Sequence, residues 1–236
     1  MKNKGLFFLF LIIFAFTAAL VFSSNLFEPT STAYNPNVEE KVKSSYVLLN
    51  VPFTPQAPLA NWDDPRQQDG CEEASILMAW LWIQNKSIIP TEAEETIIKI
   101  SEFEKERYGN FQDTSASDTA KVMKDYYGYD KLTVSENVSV EDIKNKLRQG
   151  RLVLVPANGQ RLDNPNYTGD GPSTHMLVIR GFDDSKKEFI TNDPGTRKGN
   201  LYAYDYDVVL GAMVNYPTGQ HLSQEGRPNA MIVVEK

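Results

Sequence analysis

The chain has 236 residues, 41% hydrophobic and 11% aromatic, enough for one sizeable globular core or two small ones and too apolar for wholesale disorder. Its formal net charge is -7 and no stripe of Lys and Arg stands out, so nucleic acid is not expected as a partner. A single cysteine excludes an internal disulfide and a cysteine-rich zinc cluster, and no metal or other cofactor is expected.

Lys2 and Lys4 precede Leu6–Phe22, 17 residues in which only Thr17 is polar. A basic tip before a short apolar run marks an export signal. The run is also at the lower limit for crossing a bilayer. Residues 1–24 therefore read as a signal peptide or an uncleaved anchor. Both place the body outside the cytoplasm, secreted or tethered to the outer face of the membrane by residues 5–22, with the lysines on the inner side. Membrane contact is expected through this segment only. Residues 25–45 mix Ser, Thr, Asn, Pro and charge without periodicity and read as a flexible linker. Residues 46–236 form the folded domain.

That domain opens with a short apolar strand, Tyr46–Val51, closed by Pro52. The prolines of Phe53–Pro58 impose an extended loop that continues through Trp62 and Asp63-Asp64-Pro65. Ala74, Leu77, Met78, Leu81 and Trp82 then recur at the spacing of a helix with one buried face. Asp69 or Gly70 caps it, which puts Cys71 in the first turn. Pro90-Thr91-x-x-Glu94 predicts a capping box for a second helix. Asp113–Gly128 predicts a third, capped by Ser115 or Ser117 and stopped by Gly128. Ser139-x-x-Asp142 opens a fourth, with Val138 and Ile143 as a hydrophobic staple and Gly150 at its end.

After Gly150 the period changes. Leu152–Val155 is a continuous apolar run, as in a central strand. His175–Phe182 and Lys187–Thr191 are separated by Asp183-Asp184-Ser185-Lys186, which is hairpin spacing. Asp207–Met213 predicts a short helix and Asn229–Val234 a last strand. Helices first and antiparallel strands after indicate an α+β domain.

Cys71 is the candidate nucleophile. A free thiol of pKa ~8.5 is mostly protonated at neutral pH, and unpaired N–H groups at a helix N-terminus are one way to lower that value. An unpaired thiol in an exported protein also favours chemistry over stapling. His175 opens a strand directly after the polar, glycine-rich loop Asp163–Ser173, a candidate rim or lid. It is the candidate general base. If the hairpin turn centres near Ser185, His175 lies opposite residues 194–196, with Asp193 a near or diagonal neighbour able to hold the imidazole. Asn192 and Asp183 are alternatives for that role. His221, with no apolar pattern around it, reads as an exposed loop residue. The Asx-rich loop lacks the spacing of a calcium site.

Together, Val51-Pro52-Phe53…Gln56, Asp69-Gly70-Cys71-Glu72-x-Ala74-Ser75, His175-Met176-Leu177-Val178-Ile179-x-Gly181-Phe182 and Ile190-x-Asn192-Asp193-Pro194 resemble the papain-like cysteine peptidases. Within them they are similar to the bacteriocin-leader (double-glycine) peptidase branch and its stand-alone secreted relatives. The resemblance spans roughly residues 46–234. It implies a papain-like α+β fold, N-terminal helices packed on an antiparallel sheet, and hydrolysis of peptide bonds in a peptide or protein substrate. Cys71 would be nucleophile, His175 base and later acid, and Asp193 the orienting group. An upstream glutamine would serve the oxyanion hole with the Cys71 N–H. Gln56 matches best by its place after Val-Pro-Phe, while Gln67 and Gln68 are nearer in sequence. Glu72-Glu73 replaces the Gly-Pro common after the cysteine in the leader peptidases, which argues against double-glycine specificity. No nucleotide-binding motif accompanies the domain. Two other functions fit the same residues: a non-catalytic module binding extracellular peptide or cell-wall material, and an amidase or transpeptidase.

Overall fold

The computed structural model describes residues 43–236. The expected export segment, and the linker up to residue 42, lie outside the described residues.

Seven strands form one antiparallel sheet. In chain order they are β1 (Tyr46–Leu48), β2 (Leu132–Glu136), β3 (Leu152–Ala157), β4 (His175–Asp183), β5 (Glu188–Asn192), β6 (Asn200–Asp205) and β7 (Ala230–Val234). The sheet runs β2-β7-β3-β4-β5-β6, with β1 paired to the far end of β4. The helices are α1 (Pro65–Gln68), α2 (Cys71–Gln84), α3 (Pro90–Tyr108), α4 (Ala116–Tyr127), α5 (Val140–Arg148) and α6 (Tyr206–Ala212).

The unbroken apolar runs of the central strands arise because both faces are covered. Leu152, Leu154, Met176, Val178 and Ile232 pack with α2, α3 and α4. Their neighbours Val153, Val155, Leu177, Ile179 and Val233 pack with α5 and α6. Alternation along each strand thus sorts side chains between two cores. Each fully buried Leu, Ile or Val stabilises the fold by roughly 1.5–3 kcal/mol.

Local chemistry explains most helix ends. Ser139 and Asp142 form the expected capping box, and buried Val138 and Ile143 flank it. Ser115 caps α4 and Gly128 ends it at φ 67. Three expectations change. Thr91 caps nothing: Pro90 occupies the first helical position after an extended Ile89, and Glu94 instead accepts from Gln67 Nε2 at 2.7 Å. Asp64 caps α1, accepting from the Arg66 N–H with Pro65 at the first position, where a loop is expected. Helix α2 does not show one buried face. It lies between the sheet on one side and α3 and α4 on the other, so Glu72, Glu73 and Ser75 are buried along with Ala74, Leu77 and Met78.

Candidate active site

Helix α2 begins at Cys71, with Gly70 rather than Asp69 at the cap and no side-chain bond there. A Cβ at Gly70 would lie 2.6 Å from the Arg66 carbonyl oxygen, so only glycine lets α1 and α2 meet this closely. The thiol is buried, and it donates to Glu72 Oε2 at 2.9 Å. Glu72 is anchored at its other oxygen by the Thr114 N–H at 3.1 Å and by the Tyr216 hydroxyl at 2.8 Å.

These surroundings reverse the expectation from helix position. Burial pushes the Cys71 thiol well above its ordinary value, and the Glu72 carboxylate adds to that. A helix N-terminus stabilises an anion by about 2 kcal/mol at most, whereas burial moves a pKa by up to ~3–5 units, about 1.4 kcal/mol each. Burial wins, and the resting thiol keeps its proton. Burial also raises the Glu72 carboxyl, to about 7, against bonds from Cys71 and Tyr216 that pull it down.

His175 starts β4, buried, with Ala157 of β3 beside it. The β4–β5 ladder pairs Val178 with Asn192, and that register carries His175 toward Gly195, as the hairpin spacing predicts. A Cβ at Gly195 would lie 2.9 Å from His175 Cε1, so a side chain there would collide with the ring. Asp193, two residues earlier, meets His175 Nε2 through Oδ1 at 2.8 Å. The Gly195 N–H donates to the same oxygen at 2.9 Å. Asp193 Oδ2 accepts from Tyr167 and Tyr204 hydroxyls, each at 2.6 Å, and from Asn164 Nδ2 at 3.0 Å. Burial alone would raise this carboxyl, but the His175 charge and these donors hold it below its ordinary value. Asn192 instead donates to the Pro52 carbonyl at 3.0 Å, and Asp183 lies at the distant end of β4 accepting from Ser185.

Cys71 and His175 line one cavity of about 200 Å3, with Gln56, Asp113, Thr174 and His221 among its walls. Gln56 is buried, and its Nε2 donates to the Gln67 and Gln68 carbonyls at 3.0 and 2.7 Å, while Oε1 has no partner. Two carbonyls against one amide fix which end is nitrogen. Gln67 turns away to Glu94, and Gln68 donates to the Trp62 carbonyl at 2.6 Å. The Asp163–Ser173 loop is held as a rim by the bonds of Asn164 and Tyr167 to Asp193.

His221 is the exposed loop residue the sequence suggests, yet it reaches the site. Its ring Nδ1 lies 3.2 Å from Asp113 Oδ2, its N–H donates to the same carboxylate, and Thr174 holds the other oxygen. Both histidines thus reach the cysteine cavity, each on a buried aspartate. Asn164, Tyr167, Tyr204, Glu72, Asp113 and Tyr216 also escape sequence reasoning. Tyr204, Asp113 and Tyr216 come from segments with no motif of their own, Asn164 and Tyr167 lie in the loop read only as a rim, and the burial of Glu72 is not legible from its place beside Cys71. Among the described residues no His, Cys, Asp or Glu group is arranged to hold a metal ion.

Among curated proteins, none matches the chain. Solved structures that are similar include a Bacillus anthracis protein proposed to be a C39-like peptidase, at 16% identity and a TM-score of 0.49 over 82% of this chain and 99% of that one. The model of the Peptidase_C39 like family matches residues 48–218, which take in Gln56, Cys71, His175 and Asp193. An α+β papain-like fold and a match over most of its length together mean that this chain belongs to the Peptidase_C39 like family of cysteine peptidases.

Proposed function

We propose that this chain is an active cysteine peptidase that works outside the cytoplasm through Cys71, His175 and Asp193. The observation that carries this reading is that the Asp193-anchored imidazole and the α2 thiol open on one cavity. With Nε2 engaged by Asp193, Nδ1 is the nitrogen left to take the thiol proton. The thiolate then attacks the amide carbonyl, forming a C–S bond and moving an electron pair onto oxygen. Collapse breaks the C–N bond, and Nδ1 returns the proton to the leaving amine. Water, deprotonated by the same nitrogen, releases the acyl group as a carboxylic acid and restores the thiol. Asp193 keeps the tautomer and stabilises the imidazolium. The oxyanion would be met by the Cys71 N–H and Gln56 Nε2, which has to give up one of its two carbonyls when substrate arrives.

The buried thiol bonded to Glu72 favours a second reading, a peptide-binding module without turnover. Incubation with a peptide library separates them. Turnover gives new N-termini and a thioester on Cys71 by mass spectrometry, both lost in Cys71→Ala and His175→Ala. Binding without either product would defeat the peptidase, and capture of an added amine would make it a transferase. Location is tested separately, by protease protection in intact cells. Lys2, Lys4 and the apolar stretch behind them support export.

A further inference from the structure

An open cleft of about 660 Å3 adjoins the cysteine cavity, sharing Gln56, Gln68 and Pro172 with it. Trp62, 40% exposed, lines it together with Arg197 and Lys198. No Asp or Glu lines this cleft, although the chain has 31 acids against 24 bases. Arg197 and Lys198 are exposed and form no ion pair among the described residues.

The two cations are mounted on the segment that begins with the imidazole's partner. Gly195, where a Cβ would run into the His175 ring, lines the cleft just before them. Thr196 is buried, its Oγ1 accepts from the Lys198 N–H at 3.2 Å, and its carbonyl accepts from the Gly199 N–H at 3.1 Å. The Asp193 N–H donates to the Gly199 carbonyl at 3.0 Å, and the Gln56 N–H donates to the Pro194 carbonyl at 2.9 Å. The turn is thus tied at both ends to groups of the cysteine site. The backbone that carries the two charges is thereby fixed relative to the cysteine site.

Resting on the peptidase reading, we propose that this cleft is the substrate subsite for an acidic side chain, Asp or Glu, close to the bond that is cut. Cations without carboxylates of their own attract an anion, and a neighbouring indole covers its aliphatic stem. An exposed pair contributes little alone, so two together are expected to favour acid over amide by roughly threefold to thirtyfold, less at high salt.

The test uses the full chain and a peptide set that carries Glu or Gln at each position in turn. For turnover, Glu at one position is expected to raise kcat/KM. Arg197→Glu with Lys198→Glu is expected to move that preference to Lys at the same position. Turnover that is indifferent to Glu, and unchanged by the charge reversal, overturns the subsite while leaving the peptidase. Affinity of the same peptides, rhodamine-labelled, for the Cys71→Ser chain reads the subsite without chemistry. Equal affinity for Glu and Gln peptides overturns it, and selective binding lost on charge reversal supports it even if no peptide is ever cut.

Discussion

Two buried carboxylates stand behind the two groups proposed to react, Glu72 behind the Cys71 thiol and Asp193 behind the His175 imidazole. Both are almost wholly removed from water, yet their acidities move in opposite directions. Asp193 faces an imidazole and four further donors, enough to hold its charge. Glu72 has a thiol, one N–H and a tyrosine hydroxyl. It shares its surroundings with Asp113, Glu73 and Glu104, and no Lys or Arg pairs with it among the described residues. Burial by itself decides nothing about a carboxylate here. What decides is whether cations and donors replace the water that folding removes.

Removing the better-supplied carboxylate should have the largest effect. In Asp193→Asn the imidazole loses its charge partner and its tautomer, so kcat for peptide hydrolysis is expected to fall by about 10^4. Breaking the buried pair should also destabilise the chain by about 3–5 kcal/mol in urea unfolding. Activity within tenfold of the original would mean that Asp193 only packs.

The contrast also sets a pH dependence of stability. The Glu72 value near 7 lies above an unfolded value of about 4.3, so between them the folded chain holds a proton that the unfolded chain releases. Unfolding free energy therefore falls as pH rises through this window, by up to roughly 3–4 kcal/mol for Glu72 alone. Glu73 and Glu104, also pushed up by burial, act in the same direction. Asp193 is depressed, so its contribution is present above about 3.9 and disappears only as pH falls through its folded value. Urea titrations should show more stability at about pH 5 than at about pH 8, with a shallower slope in Glu72→Gln. A curve that rises over that range would contradict the state assigned to Glu72.

Glu72→Gln also takes a negative charge away from the sulfur. The midpoint of iodoacetamide labelling against pH should move down by about one unit. No movement would leave the 2.9 Å contact as packing alone. The smallest effect is expected at His221, half-exposed above its buried partner Asp113, where solvent screens the imidazole. His221→Gln should change kcat/KM by about fivefold at most, with little change in stability. A loss like that of Asp193→Asn would make His221 the working base.

The legible parts of this protein are those whose cause lies within a few residues. Gly70-Cys71 at a helix start, Ser115, the Ser139–Asp142 box and the turn at Asp183–Lys186 each declare local geometry, and the hairpin register follows from the turn. That register, shifted by one residue between Ile179 and Gly181, brings Asp193 to His175. Strands β2 and β6 escape sequence reasoning because they are edge strands, largely open to solvent, whose apolar residues are not gathered on a buried face. Helix α1 was missed although Asp64-Pro65 carries its start signal, since four residues show no period.

By itself the amino-acid sequence determined the α+β class, the position of Cys71 on a helix tip and the hairpin that aligns His175 with Asp193. Those depend on capping, turn chemistry and alternation, which act between near neighbours. Only the tertiary structure decided that α2 is packed between the sheet and two helices, that Glu72 is buried against the thiol, and that His221 returns to the cavity. Solvent exclusion and charge are summed over segments as far apart as Glu72 and Tyr216, and no local pattern contains that sum.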